Sequence, residues 1–328
     1  MKKKTVLVLG GSGFIGAEIC NTLSLTENVI CADNYSRNEQ KVNINNDVDH
    51  CEVDITNFNM VNSVCKHVDA VINLAFINGT KNFYERPREV FKVALDGQMN
   101  VIKSLDENNI RRFVYASSSE VYQTPKIVPT PEEVPLVVPD IYNPRYSYGG
   151  GKIVGELMCM HYLPRRVNYQ IFRPHNIYGP NMGYEHVIPE FIRKINTAKA
   201  NSENLIKIKV QGKGESSRSF CYIKDFGNAF RLIWEKGSNN QIYNIGNDHE
   251  VKIKETGLNK GEKISEKLHV SSKRFKTLHK DIFYVNEPTY GESVINNFLS
   301  KAKTYLEKYN KKELSNTLKD LLKKELVN

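Results

Sequence analysis

The sequence predicts an α/β protein: a doubly wound parallel sheet with a smaller C-terminal α/β substrate-binding lobe. Two observations carry this. Short β-branched runs alternate with helical segments through most of the first 250 residues, and a glycine-rich turn joins the first run to the first helix. Parallel strands need crossover connections, and helices that cover both faces of the sheet are the compact way to make them. At 328 residues the chain has room for two lobes, since compact domains hold about 100–200 residues.

Thr5-Val6-Leu7-Val8-Leu9 reads as a strand buried on both faces, breaking into Gly10-Gly11-Ser12-Gly13-Phe14-Ile15-Gly16. Ala17 to Leu25 follows as a helix, and Val29 to Ala32 as a second strand ending in Asp33, which completes a βαβ unit. Further strands are expected at His50–Val53, Ala70–Ala75 and Arg112–Ala116, with core returns near 170–172 and 242–245. The nucleotide-binding domain is placed at residues 1–180. The lobe at 181–328 contains a helix from His186 to Ala200, a strand from Leu205 to Gln211, a turn at Gly212-Lys213-Gly214 and Lys-rich helices at Val294–Tyr309 and Lys312–Leu326.

Composition excludes several classes. Forty per cent hydrophobic and 25% charged residues are those of an ordinary globular protein, and no run approaches the roughly 20 apolar residues of a membrane span. The lysine-led N-terminus runs into glycines rather than a signal-peptide core, so a cytoplasmic chain is expected. Six scattered cysteines form no C-x-x-C pair, which points to reduced thiols and to no metal site. The net charge of +9 invites a nucleic-acid reading, but residues 1–250 carry 29 Lys and Arg against 27 Asp and Glu, and residues 251–328 carry 17 against 10. The excess belongs to the tail, which has no aromatic interleaving or recognition motif, so neither a nucleic acid nor a membrane is expected as partner.

Glycines at 10, 13 and 16 have distinct jobs in a Rossmann-type turn: the first permits the tight turn, the second lets backbone approach a pyrophosphate, and the third packs helix against strand. The helix N-terminus then offers unpaired N–H groups and a positive dipole end to the phosphates. Asp33, at the end of the second strand, suits the ribose hydroxyls and disfavours a 2′-phosphate, so NAD is the expected cofactor; Arg37 is the nearby cation that would serve NADP instead. Asp54 either meets the adenine edge or caps a helix before Ile55-Thr56.

Tyr148 and Lys152 stand four apart at the start of a helical segment, on one face. An adjacent ammonium is expected to lower the phenol's pKa and make Tyr148 a base toward a hydroxyl. The three glycines between them cost about 1 kcal/mol each against alanine, so close packing must be worth something there. The strand before Ser117-Ser118-Ser119-Glu120-Val121-Tyr122 delivers hydroxyls and a carboxylate to the carboxyl edge of the sheet, where ligands bind.

With these residues the chain resembles the extended short-chain dehydrogenase/reductases, specifically the NAD-dependent nucleotide-sugar epimerases and dehydratases. The likeness runs from residue 5 to about 250, through the glycine turn, Asp33, Asp54, Asn73-Leu74-Ala75, Ser117–Tyr122, Tyr148 with Lys152, Arg173-Pro174-His175-Asn176-Ile177-Tyr178-Gly179-Pro180 and Arg218. It implies that Gly10, Gly13, Phe14, Ile15, Gly16, Asp33, Asp54, Ile55, Leu74 and Ala75, together with Tyr148 and Lys152, hold NAD. It implies that Tyr148, helped by Ser118 and Lys152, takes the proton from a sugar 4-hydroxyl while C4 is oxidised to a ketone. Ser118, Ser119, Asn176 and Arg218 would bind the nucleotide sugar.

Glu120 stands where an acid serves the family's dehydratases and decarboxylases, which favours a 4,6-dehydratase or decarboxylase over an epimerase at C4 or at C3/C5; a non-catalytic NAD-binding scaffold is the alternative from another class. The resemblance also implies a homodimer, with Ile153, Val154, Leu157 and Met158 as an apolar seam. Three residues depart from the pattern: Phe76 and Ala94 replace a small residue and an Asn, and Gln123 replaces a Gly.

Overall fold

The computed structural model describes residues 3–37, 43–184, 186–200, 217–252, 274–276 and 283–285. Its centre is a parallel sheet of seven strands: β1 (Thr5–Leu9), β2 (Asn28–Asp33), β3 (Asp49–Glu52), β4 (Ala70–Asn73), β5 (Arg112–Ala116), β6 (Asn168–Pro174) and, beyond three short strands, β10 (Gln241–Ile245). Their order is β10-β6-β5-β4-β1-β2-β3, and every neighbouring pair is parallel. The order reverses between β1 and β4. At such a switch point the strand ends part and leave a crevice for a ligand.

Side chains alternate across a strand, so β1 feeds two cores at once. Val6 and Val8 join α1 (Phe14–Leu23) and α8 (Ile223–Lys236) through Ile19, Phe226 and Phe230. Leu7 and Leu9 face the other layer, where Val61 of α2 (Phe58–Val64), Leu105 of α5 (Gln98–Glu107) and Cys159 of α6 (Ser147–His161) meet Phe113 and Ile171. Each fully buried Leu or Phe contributes about 1.5–3 kcal/mol, which makes these two layers the main support of the fold. Between β4 and α5 run α3 (Thr80–Glu85), α4 (Pro87–Lys92) and one π-helical turn, Val93–Gly97.

The first helix begins at Phe14, three residues earlier than expected, because Gly13 is already its N-cap. Short pairs complete the picture: β7 (Ile177–Tyr178) runs parallel to β9 (Cys221–Tyr222), and β8 (Ser217–Ser219) antiparallel to β11 (Glu250–Lys252). These belong to a compact unit formed by Met1–Arg193 and Gly212–Ile253. A second unit comprises Lys194–Gln211 and Lys254–Asn328, in which β12 (Arg274–Lys276) and β13 (Phe283–Val285) pair antiparallel. Helix α7 (Val187–Ala200) matches the segment expected from His186. The expected strand at 205–211, the turn at 212–214 and the helices at 294–309 and 312–326 lie outside the described residues. No helix among the described residues is long and apolar enough to cross a membrane.

Candidate active site

The glycine turn closes over the end of β2, with the amides of Gly10 and Gly11 donating to the Ala32 carbonyl at 2.8 and 3.2 Å. Gly10 has φ +77°, and a Cβ there would stand 2.7 Å from the Ala75 nitrogen. A Cβ on Gly16 would run into the carbonyl of Gly10. Gly13 caps α1 without a side chain, which leaves the first helical amides open to an anion. Asp33 braces this turn: Oδ2 accepts from the Ser12 amide at 3.0 Å and Oδ1 from the Tyr35 amide at 2.9 Å. Each oxygen keeps a further lone pair for a ribose hydroxyl. A backbone cradle that any Cβ would fill, beside a carboxylate with acceptors to spare, fits NAD.

Leu74 and Ala75 form the opposite wall. Leu74 donates to the Leu9 carbonyl at 2.8 Å, and Ala75 to the Asn73 side chain at 3.1 Å. Asn73 is itself fixed by donating to Gln98 at 2.8 Å, a buried amide pair that sequence reasoning did not single out. Ile55 is buried against Gly97. Asp54 does not cap a helix: its Oδ1 accepts from the amide and hydroxyl of Thr56, both at 2.8 Å, and the cap of α2 is Asn57. Capping requires the acceptor to reach an amide of the first helical turn, and α2 starts at Phe58, too far along for Asp54.

Helix α6 starts at Ser147 and carries Tyr148 and Lys152 inward, both buried. The expected lowering of the phenol's pKa by Lys152 is not found. Burial pushes Tyr148 up to about 12, against the opposing pull of the Ser118 hydroxyl and the Arg37 charge, while Glu120 raises it further. The reason is where the ammonium lies. Lys152 Nζ donates to the Ala116 carbonyl at 2.6 Å and sits 4.1 Å from the centre of the Phe76 ring, against 5.8 Å from the Tyr148 ring. Burial lowers Lys152 to about 7, although Glu156 and Cys159 act to raise it. The Tyr148 ring is held between Phe76, edge-on at 5.1 Å, and Phe83, stacked at 5.1 Å.

Ser118 is buried where β5 ends, and its Oγ accepts from the Glu120 amide at 3.2 Å. Ser119, Glu120 and Val121 form one 3₁₀ turn on that cap. The Glu120 carboxylate accepts from Arg145 Nη1 at 3.3 Å. Thus the structure brings Ser118, Glu120, Tyr148 and Lys152 together at the carboxyl edge, beside the glycine turn.

One buried network went unnoticed in the sequence. Arg173 donates twice to Glu156, at 2.8 and 2.6 Å, and once to the Tyr122 hydroxyl at 2.5 Å. Ser117 donates to Glu156 as well, Tyr122 donates to Asn244 at 2.8 Å, and His175 pairs with the same Asn244 oxygen at 3.1 Å. Burial acts to lower the Arg173 guanidinium, but Glu156 outweighs it and holds it above its ordinary value. Glu156 follows Lys152 by one helical turn, so this pair clamps α6 to β6 and keeps Tyr148 and Lys152 over the sheet edge. Arg173 and Glu156 lie 17 residues apart on different elements, so no spacing along a single helix or strand signals the contact.

The three departures meet the glycine run. Gln123 has φ +54°, a backbone that glycine adopts more easily, and its Nε2 donates to the Glu120 carbonyl at 2.5 Å. A Cβ on Gly149 would lie 3.1 Å from that Nε2 and 3.3 Å from the Glu120 oxygen. A Cβ on Gly151 would lie 2.9 Å from Ala94 Cβ and 3.2 Å from Phe76 Cζ.

Asn176, with φ +41°, donates to the Ser219 carbonyl at 2.9 Å and so ties the loop after β6 to the strand that carries Arg218. Arg218 pairs across to Val251 in the β8–β11 ladder.

The profile of the NAD dependent epimerase/dehydratase family matches residues 6–246. The UDP-N-acetyl-alpha-D-glucosaminuronate decarboxylase of Bacillus cytotoxicus is 29% identical over 279 residues, which cover 83% of this chain and 82% of that protein. UDP-glucuronic acid decarboxylase 1 of Xenopus tropicalis is 28% identical over 255 residues, 76% of this chain but only 58% of the frog protein's length. Among solved structures, the UDP-N-acetylglucosamine 4-epimerase of Methanobrevibacter ruminantium M1, in complex with UDP-N-acetylmuramic acid, superposes with a TM-score of 0.63 at 27% identity, covering 77% of this chain and 79% of that one. A match along most of the chain, on a sheet and a site of this construction, makes the protein a member of the NAD-dependent epimerase/dehydratase family.

Proposed function

We propose that the protein oxidises C4 of a nucleotide sugar to a bound 4-keto sugar and completes the reaction as a decarboxylase or 4,6-dehydratase. The observation that supports this best is the convergence of Ser118, Glu120, Tyr148 and Lys152 on one sheet edge beside the glycine cradle. NAD⁺, when bound, supplies the hydride acceptor. Gly10, Gly13 and Gly16 admit its pyrophosphate, Asp33 takes a ribose, and Ile55, Leu74 and Ala75 wall the cleft. Tyr148 receives the proton of the sugar 4-hydroxyl, Ser118 orients that oxygen, and Ser118 and Arg37 are the groups that favour the phenolate. Lys152, fixed at the Ala116 carbonyl beneath the reacting edge, would donate to the nicotinamide ribose. Asn176 and Arg218 serve the phosphates, an amide donor and a guanidinium fork suited to them.

A ketone at C4 acidifies the C5 hydrogen and weakens a bond from C5 to a carboxylate. Glu120, held in place by Ser118 and Arg145, is the side chain for the second proton. The likeness to a 4-epimerase at 27% identity favours epimerisation as the second reading. Val154 and Leu157 of α6 are exposed beside Phe91 of α4 and Leu95, while Ile153 and Met158 are half-buried; this apolar strip suits a homodimer seam. Reduced cysteines fit a cytoplasmic setting.

The test is product mass after incubation with nucleotide sugars: loss of carbon dioxide, loss of water and no change separate the three outcomes. Tyr148→Phe is expected to lower turnover about 10²–10⁴-fold with the fold intact. Full activity in that variant would remove Tyr148 from the chemistry.

A further inference from the structure

Arg145 lies three residues before Tyr148, in a 3₁₀ turn (Pro144–Tyr146) whose cap, Asn143, accepts from the Arg145 amide at 3.0 Å. Its guanidinium touches Glu120 through Nη1 alone, at 3.3 Å, and the two side chains are 37% and 40% exposed. Among the described residues this is the guanidinium's one polar contact, so Nε and Nη2 keep their N–H groups open. Glu120 is fixed from its other sides, with its amide on Ser118 and its carbonyl taken by Gln123. Ser118 caps the turn that carries Glu120, and the Glu120 carbonyl lies against Gly149, the residue after Tyr148, which puts the Arg145–Glu120 pair beside Ser118 and Tyr148.

A half-exposed ion pair with one contact adds little to stability, so the fold gives no strong reason for this arginine. The chemistry of the substrate does. A neutral hexose carries a hydroxymethyl group at C5 and needs no cation there. A uronic acid carries a carboxylate, which Glu120 would repel unless a positive group stood between them. A planar fork with open N–H groups matches a carboxylate in charge and shape.

We propose that Arg145 is a specificity-determining residue that selects nucleotide sugars with a carboxylate at C5, its guanidinium bridging that carboxylate and Glu120. This rests on the nucleotide-sugar reading of the site.

The experiment is calorimetric titration of the NAD-loaded full chain with glucose and glucuronate as their UDP and dTDP conjugates, using UDP and dTDP alone as controls. The native protein should bind the glucuronate form more tightly than the glucose form of the same nucleotide. Arg145→Gln should cut that preference about 10- to 100-fold, the loss expected for a charge-assisted bidentate contact. Arg145→Lys, which keeps the charge without the fork, should fall between. A native preference for the neutral sugar, equal affinities, or equal weakening of both sugars by Arg145→Gln would overturn the assignment and leave the nucleotide-sugar reading standing. Binding of none of these nucleotides would instead overturn that reading, and this inference with it.

Discussion

Gly10 and Gly16 are hemmed in by backbone, whereas Gly149 and Gly151 are hemmed in largely by side chains. At the cofactor turn, an added Cβ meets the Ala75 nitrogen or the Gly10 carbonyl, which belong to the sheet edge and cannot retreat. On α6 it meets Gln123 Nε2, Ala94 Cβ and Phe76 Cζ, with one carbonyl, that of Glu120, beside them. The first cluster is dictated by a turn shape. The second is a set of notches cut for particular neighbours, three of which are the residues that depart from the family pattern. The departures at 76, 94 and 123 and the glycine run therefore pack as one feature around Tyr148 and Lys152.

Gly16→Ala is the hardest blow to the first cluster. Its Cβ has no room against the Gly10 carbonyl, so a loss of about 3 kcal/mol is expected from overpacking, with NAD affinity lost alongside; urea unfolding and an NAD titration read both. Gly151→Ala should cost less, about 1–2 kcal/mol, because Phe76 and Ala94 can shift and alanine recovers helix propensity. The discriminating result is the double variant: Phe76→Leu should restore much of the Gly151→Ala loss and do nothing for Gly16→Ala. Equal failure of rescue at both sites would mean that the two clusters do not differ.

Lys152 sharpens the comparison through pH. Its ordinary value of 10.5 falls to about 7 in the folded chain, so between these values the unfolded chain binds the extra proton. Its burial penalty is therefore complete below about pH 7 and is relieved as pH rises. In the window from pH 7 to 8, below the ordinary thiol range, unfolding free energy should rise more steeply in the native protein than in Lys152→Met. A steeper slope in the methionine variant would contradict this environment for the ammonium. The smallest effect belongs to Gly150, whose added Cβ meets nothing closer than Val138 Cγ2 at 3.7 Å. Gly150→Ala should stabilise by about 0.5–1 kcal/mol in thermal unfolding, the one glycine of the run that close packing does not demand.

The strand runs β1, β2, β4 and β5 were legible because a strand buried on both faces writes itself as a continuous apolar segment between turn residues. Asp33 was legible for a similar reason, since its place at a strand end follows from the βαβ unit. Lys152 was legible as a residue but not in its behaviour: the spacing to Tyr148 puts the two on one helix face, yet the ammonium is drawn to the Ala116 carbonyl and the Phe76 ring from other elements. The Arg173–Glu156 clamp and the Arg145–Glu120 pair were hidden for the same reason, because each joins segments 17 and 25 residues apart.

By itself, then, the sequence determined the sheet, the cofactor turn and the types of groups available for chemistry, all of which depend on local periodicity, strand ends and fixed backbone demands. Only the tertiary structure decided which cation serves which anion, how far the phenol is desolvated and what the glycine run makes room for. Those are matters of distance and burial between remote segments, and no local pattern encodes them.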